Sequence, residues 1–234
     1  MNSSKIDVLD HGYVRLVDHM GSDLSIVRSA RTSYDAAWRA GEDAGSDERL
    51  IKYLWKNKHS TPFESVAFTF EVKAPIFVLR QWMRHRTWAF NEQSARYTEV
   101  KDEYYLPDPH LIGVQSKNNK QARDIADLDA SDLVEKNRQI NIAKVANEAA
   151  FANYRKLLAA GWPRELARTV LPVATYSHMF ATVNLLNLFK FITLRDDAHA
   201  QYEIQVYARA MQDLITPIVP VAVKYFEDSR QFDN

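Results

Sequence analysis

Cysteine is absent from this chain of 234 residues. The absence excludes disulfide bonds, thiolate metal sites and every mechanism that depends on a cysteine nucleophile. Glycine is scarce, with only 6 residues, and the chain contains no G-x-G-x-x-G sequence. A nucleotide cofactor would therefore not be held on a Rossmann turn. The sequence also lacks an apolar run long enough to cross a membrane.

The chain also has a formal net charge of zero, because its 30 lysines and arginines balance its 30 aspartates and glutamates. Long-range attraction to nucleic acid or to an anionic membrane is not expected, so a local cluster of arginines indicates a local anion. The N-terminal residues lack the basic start and apolar run of a secretory signal, which favours a cytoplasmic protein. The apolar share of 46% suits one domain over residues 1–234 with a sizeable core.

Hydrophobic periodicity predicts an α+β fold, a helix-rich single domain with a small, mostly antiparallel sheet. Strands are expected on both sides of a turn at His11–Gly12, at 66–74 and at 173–183. Helices are expected at 23–34, 47–60, 76–86, 129–160, from 163, at 184–194, at 198–215 and near the C-terminus. Leu50, Tyr53 and Leu54 should form the buried face of the second helix, and Thr61 and Glu64 a capping box after it.

The segment "RHRTWAFNEQSARY" at 84–97 gathers charge beside aromatic side chains. On a helix over 76–86, Gln81, Arg84 and His85 would share one face, with Ile76, Leu79 and Met83 facing inward. If the downstream part is extended, Glu92, Ser94 and Arg96 point to one side. Guanidiniums, an amide, a hydroxyl and a carboxylate together suit a phosphorylated small molecule with hydrogen-bonding ring edges.

Three other interpretations of this segment stay open. It could be a solvated surface with ordinary ion pairs of Arg84 or Arg96 with Glu92 or Glu99. Ser94 and His85 could form a nucleophilic pair, although no G-x-S-x-G elbow supports one. The aromatic side chains could stack on single-stranded nucleic acid, although the neutral net charge argues against it.

A second arginine cluster follows Gly161. Arg164 and Arg168 lie four residues apart on a predicted helix and should share a face.

A third cluster surrounds a predicted helix start at Asp196 or Asp197. Arg195 would lie just ahead of that start, where a helix favours an anion. His199 and Glu203 lie at i and i+4, and a surface pair of this kind is the preferred interpretation over a metal site.

The chain resembles the flavin-dependent thymidylate synthases. The R-H-R motif at 84–86, followed after seven residues by Ser94, matches that family's signature. Blocks at 59–64, 163–172 and 194–205 also resemble the family, in the same order, so the resemblance covers nearly the whole chain.

This resemblance implies a homotetramer, with sites shared between subunits, that makes dTMP from dUMP. The carbon donor would be methylenetetrahydrofolate, and FAD reduced by NADPH would supply the hydride. The implied dUMP contacts are Gln81, Arg84, Glu92, Gln93, Ser94, Ala95, Arg96, Arg168 and Arg195, the last being the implied catalytic residue. The implied FAD contacts are His59, Thr61, Arg84, His85, Arg86, Glu92, Asn184 and Lys190. No metal is implied.

Three positions depart from the family pattern. Leu186 stands where many relatives have arginine, and Lys190 stands where asparagine or histidine is common. Ala95 replaces a frequent glycine.

A flavin reductase or flavin-binding protein without methyl transfer is the competing interpretation; it would leave Arg168 and Arg195 without a substrate.

Overall fold

The computed structural model of the chain describes residues 4–125 and 128–232. Its centre is an antiparallel five-stranded sheet with the order β1-β2-β3-β7-β4. The strands are β1 (Lys5–Val8), β2 (Gly12–Met20), β3 (Ala67–Pro75), β4 (Ala89–Glu92) and β7 (Tyr176–Asn184). A separate two-stranded hairpin joins β5 (Val114–Gln115) to β6 (Arg123–Asp124).

Alternation of side chains gives the sheet one buried and one open face. Phe68, Phe70 and Val72 of β3 are fully buried. On the open face, the hydroxyls of Thr69 and Thr182 lie 3.0 Å apart across the β3–β7 pair. The predicted α+β class, with a small antiparallel sheet and helices, is confirmed.

The described helices are α1 (Asp23–Arg31), α2 (Ala44–Lys56), α3 (Ile76–Trp82), α4 (Ala130–Ala159), α5 (Arg164–Ala167), α6 (Leu185–Arg195), α7 (Tyr202–Ile215) and α8 (Pro220–Phe232). Helices α1–α3 and α6–α8 contribute side chains to the core on the buried face of the sheet, whereas α4 packs against α5. Helix α6 is buried on most sides. Its Phe189 stacks on Phe226 of α8, and its Phe191 stacks on Trp82 of α3.

Several predicted details of the helices are wrong. Ile51 and Leu54 form the buried face of α2, whereas Tyr53 is exposed, because the stripe is shifted by one residue. Residues Thr61–Ser65 form a 3₁₀ turn in which no side chain caps the first residues, so the predicted capping box is not formed.

Helix α3 is shorter than predicted. It ends at Trp82, and it buries Val78, Leu79 and Trp82, while Met83 is exposed. The fully buried Trp82 fixes which face of α3 meets the core. The residues from Met83 onward therefore do not continue the helix that the sequence pattern predicted.

Candidate active site

The R-H-R motif lies in the turn between α3 and β4. Its course is set by hydrogen bonds from the Arg84 amide to the Gln81 carbonyl, 3.4 Å, and from the His85 amide to the Trp82 carbonyl, 2.9 Å. Trp82 and Trp88 are buried at the two ends of this turn. Because the helix has already ended, Gln81, Arg84 and His85 do not share a helical face, which corrects the prediction.

Arg195 and His85 meet at the end of helix α6. The Nε of Arg195 donates to Nε2 of His85 at 2.9 Å, and a terminal guanidinium nitrogen donates to the Gln81 carbonyl at 3.1 Å. Arg195, from one predicted cluster, is therefore in direct contact with Gln81 and His85, from another. Both acceptors are neutral, so the positive charge of Arg195 is not cancelled by them.

The His85 imidazole is neutral and has a defined tautomer. Burial, together with the charge of Arg195, lowers the pKa of His85 from 6.5 to about 4. Since Nε2 accepts from the guanidinium, the ring hydrogen resides on Nδ1. The ring meets Phe191 edge to face, with centroids 4.9 Å apart, so its plane is fixed as well.

Arg195 is the last residue of α6, not a residue ahead of α7. Asp196 is the C-cap of α6, and α7 begins only at Tyr202. The predicted N-cap role of Asp196 or Asp197 is therefore wrong. The carbonyl end of a helix favours a cation, so α6 stabilises the charge of Arg195. Burial lowers the pKa of Arg195, but the ordinary pKa of arginine is so high that the side chain stays charged.

Strand β4 carries Glu92 to the end of the sheet, and a tight turn follows. The Gln93 amide still pairs with the His178 carbonyl at 2.8 Å, whereas the Ser94 carbonyl accepts from the amides of Tyr97 and Thr98. The expected extended arrangement of Glu92, Ser94 and Arg96 is therefore wrong beyond Gln93. The Ser94 hydroxyl accepts from the Arg96 amide at 3.2 Å, so it serves the turn and does not meet His85.

Two ion pairs connect this turn to α5. Arg96 lies 3.4 Å from Glu165, and Arg164 lies 3.8 Å from Glu99. The pairs considered from sequence, within 84–99 itself, are not the ones formed. Arg164 and Arg168 do not lie on one helix as predicted, because α5 ends at Ala167 and Arg168 begins a 3₁₀ turn.

A cavity of about 370 Å³ opens between these elements. Four predicted site residues line it: Glu92, Gln93, Ala95 and Arg168. Its other polar walls include Arg80 of α3, Lys101, Glu103 and His178 of β7. This volume suits a small ligand of nucleotide size.

Some charged side chains that line the cavity have an ion-pair partner and others have none among the described residues. Burial pushes the pKa of Glu103 up, but the hydrogen bond and charge of Lys73, 2.8 Å away, bring it below its ordinary value. Burial and then the charge of Lys73 lower the pKa of His178, which keeps its ring neutral. Within 4–125 and 128–232, neither Arg80 nor Arg168 forms an ion pair or a side-chain hydrogen bond, so both guanidiniums can bind an anion.

Two of the implied flavin contacts, Asn184 and Lys190, belong to α6. Asn184 is the N-cap of α6 and accepts from the Asn187 amide at 2.9 Å, which accounts for its position without a ligand. Lys190 is exposed on α6. His59 and Thr61 are exposed around the 3₁₀ turn that packs against α6, with His59 edge-on to Tyr53.

Leu186 is buried among the apolar side chains of α6, so this departure from the family pattern is a core position here. Arg84 and Arg86 are exposed at the turn after α3. In the described part of the chain their guanidiniums have no hydrogen-bond partner.

The structure does not bring every implied dUMP contact to one cavity. The Gln81 amide donates to the Gln201 side chain at 2.5 Å, and Gln201 lines a different cavity, of about 440 Å³. Arg195 lies outside the lining of the first cavity too. Arg80, Lys101, Glu103 and His178 were missed from sequence. For Arg80, its position one helical turn before Arg84 was a signal in the sequence. For His178 there was none, because the alternation of side chains in β7 does not distinguish a residue that lines a cavity from one that faces solvent.

The predicted surface pair of His199 and Glu203 is not formed. His199 precedes α7 and contacts Asp197, 2.8 Å away. Glu203 is 1% exposed and accepts from Arg123 and Tyr105. No cluster of three or more potential metal ligands occurs in residues 4–125 and 128–232, and no helix there is long and apolar enough to span a membrane.

The chain is similar to known proteins over most of its length. The sequence model of the family described as "Thymidylate synthase complementing protein" matches residues 15–221. The flavin-dependent thymidylate synthase of Treponema denticola is 46% identical over 220 residues, covering 94% of this chain and 80% of its own. The enzyme of the same name from Thermosipho melanesiensis is 46% identical over 201 residues, covering 86% of this chain and 84% of its own.

A solved structure is similar throughout the chain. It is a UMP/dUMP methylase, PolB, from Streptomyces cacaoi with bound 5-Br dUMP; the TM-score is 0.84, with 39% identity, 95% of this chain and 97% of that chain covered. The same methylase with bound 5-Br UMP superposes with a TM-score of 0.81 and 40% identity, covering 95% of this chain and 96% of that chain. With a family match over most of its length and relatives well above 30% identity, the chain belongs to the flavin-dependent thymidylate synthase family.

Proposed function

We propose that the protein catalyses the reductive methylation of dUMP to dTMP, with methylenetetrahydrofolate as carbon donor and FAD reduced by NADPH as hydride source. Family membership supports this reaction. The chain has no cysteine, so the pyrimidine cannot be activated by thiolate addition. Activation must come from charge placed beside the ring.

The observation that carries the proposal is the arrangement of Arg195. Its guanidinium is held by two neutral acceptors, His85 and the Gln81 carbonyl, and forms no ion pair within the described residues. Its remaining N–H groups can donate to a pyrimidine carbonyl. A fixed, uncompensated positive charge there favours loss of the N3 proton and raises the electron density of the ring.

The cavity supports binding of the nucleotide phosphate. Arg168 and Arg80 approach it from two different elements without an ion-pair partner in the described chain. Guanidinium forks bind phosphate oxygens in pairs. Gln93 and Ala95 line the same cavity, and the Ser94 hydroxyl, which accepts from the Arg96 amide, keeps its own proton to donate.

The residues present also fit a flavin nucleotide. Arg84, Arg86 and Lys190 offer cations without a partner among the described residues, which suits a pyrophosphate, and Thr61 and the Asn184 amide add neutral donors. When bound, FAD would supply the hydride. Lys190 compensates the positive charge that is missing at Leu186.

We further propose a homotetramer with sites shared between subunits. Gln81 and Arg195 lie outside the cavity that contains Glu92, Gln93, Ala95 and Arg168. A site that combines one protomer's Arg195 region with its partner's cavity would bring the implied dUMP contacts together. Sedimentation equilibrium tests the assembly; a monomer with full activity would contradict it.

The function is tested by anaerobic spectroscopy. The protein is mixed with FAD and reduced with NADPH, and dUMP and methylenetetrahydrofolate are then added. Return of the flavin absorbance together with dTMP formation supports the proposal. Reduction without reoxidation by these substrates would show a flavin reductase scaffold instead.

A second candidate substrate is UMP. The similar methylase from Streptomyces cacaoi has been solved with both 5-Br dUMP and 5-Br UMP. An added hydroxyl is difficult to reject by shape alone, since such discrimination is typically about a hundredfold. Comparing kcat/KM for UMP and dUMP in the same assay decides whether this chain methylates one nucleotide or both.

A further inference from the structure

Asp196 directly follows Arg195 and is the acidic residue nearest to it in the sequence. Consecutive Cα atoms are about 3.8 Å apart, and an arginine side chain is long enough to fold back on a neighbouring carboxylate. Such a pair would cancel the charge on which the proposed activation of the pyrimidine depends. The structure shows this carboxylate bound elsewhere.

Two arginines from different helices hold the Asp196 carboxylate. Arg209 of α7 donates its Nε to Oδ1 at 2.6 Å, and Arg230 of α8 places both terminal nitrogens 3.1 Å from Oδ2. Arg230 also donates to the Asp196 carbonyl at 2.5 Å. The Asp196 side chain is only 16% exposed, so both oxygens are occupied in a partly desolvated setting.

The surrounding packing fixes this cluster. The Arg230 guanidinium lies over the Phe226 ring at 5.5 Å, and Phe226 stacks on Phe189 of α6 with centroids 4.2 Å apart. Arg209 is oriented further by the Gln205 amide oxygen at 3.0 Å. The three charges therefore form one unit between the C-terminal end of α6 and helices α7 and α8.

We propose that Arg209 and Arg230 sequester the Asp196 carboxylate and thereby keep the Arg195 guanidinium without a counterion. Arg209 and Arg230 are positioning residues in this arrangement, because they act on the substrate only through Asp196 and Arg195. The inference rests on the proposed role of Arg195. It predicts that the carboxylate becomes inhibitory when its two partners are removed.

The test is a rescue experiment on the FAD-loaded enzyme. The double variant Arg209→Gln/Arg230→Gln should lose kcat for dTMP by about tenfold, the size of one charge-assisted hydrogen bond, while flavin occupancy stays at the parent level. Adding Asp196→Asn to that background should restore kcat to within about threefold of the parent, since the competing charge is gone. A triple variant as slow as the double would overturn the proposal, because a purely structural cluster predicts no rescue.

Controls separate this inference from the proposed function. Lys224→Gln removes another ion pair of α8, with Glu48 of α2, and should leave kcat unchanged. If the double variant does not fold, as judged by far-UV circular dichroism, Arg209→Gln alone and with Asp196→Asn gives the same comparison. Parent-level kcat in the folded double variant would refute sequestration. Parent-level dTMP formation by Arg195→Ala would instead refute the proposed role of Arg195.

Discussion

Nε of Arg195 and Nε2 of His85 lie 2.9 Å apart, and the guanidinium is the donor. This contact joins the end of helix α6 to the turn after α3, two elements that are far apart in the sequence. It fixes the plane of the guanidinium and at the same time requires a neutral imidazole. The positive charge and its orientation are therefore set by the same hydrogen bond.

Arg195→Ala should fold but lose dTMP formation. Loss of each charge-assisted hydrogen bond costs about 2 kcal/mol, which corresponds to roughly thirtyfold in rate. Because the proposed function assigns Arg195 to the pyrimidine and not to the cofactor, NADPH should still bleach the flavin at the parent rate. Stopped-flow absorbance and product analysis measure the two steps separately. Equal dTMP rates in the variant and the parent would contradict the assignment.

His85 should make the stability of the protein depend on pH in a defined window. Its pKa is about 4 in the folded state and 6.5 ordinarily, so the unfolded chain binds more protons between these values. Stability contributed by the neutral ring is complete above about pH 6.5 and is lost as the pH falls toward 4. Melting temperatures of the parent and of His85→Asn should therefore diverge over this window. Parallel curves would show that His85 is not the responsible group.

Strands β1, β2, β3 and β7 and the long helix α4 were predictable because their signals are local, whereas no strand was predicted at Ala89–Glu92. Oδ1 of Asp129 caps α4 by accepting from the Ser131 and Asp132 amides, and the Asp129 amide donates in return to the Asp132 carboxylate. Gly161 follows the end of α4 with φ at +85°. The alternation of apolar residues in β3 likewise fixes its buried face. Signals of this kind are contained within a few residues, so sequence alone identifies them.

The sequence-based predictions were wrong where the local structure depends on contacts with residues far away in the sequence. Helix α3 ends at Trp82 without a glycine or proline, because the burial of Trp82 against Phe191 of α6 sets its course. Glu203 was expected at the surface but is buried, since Arg123, 80 residues earlier, supplies its counterion. The site assignments to individual ligands follow from family resemblance and stay predictions.

Glu203→Ala should destabilise the fold strongly. Glu203 is 1% exposed, and one of its oxygens accepts from Arg123 at 2.9 Å and from Tyr105 at 3.0 Å. Removing the acid leaves a cation and a hydroxyl without a partner, which costs about 3 kcal/mol. Urea unfolding measures the change. Glu165→Ala breaks the exposed pair with Arg96 and is the matched control, with an expected loss below about 1 kcal/mol. Equal losses in both variants would refute the structural importance of Glu203.

Arg168→Ala should weaken dUMP binding without changing the chemical step. Arg168 lines the 370 Å³ cavity and has no ion-pair partner in the part of the chain that the structure describes. A contact to phosphate is equally strong in the ground and transition states, so KM for dUMP should rise by roughly thirtyfold while kcat is retained. Arg168→Lys keeps the charge but loses the paired donors, and its KM should lie in between. Arg138→Ala on α4 removes an exposed arginine paired with Glu135 and should leave KM unchanged. Were KM for dUMP to stay at the parent value in Arg168→Ala, the phosphate would have to be bound by other residues.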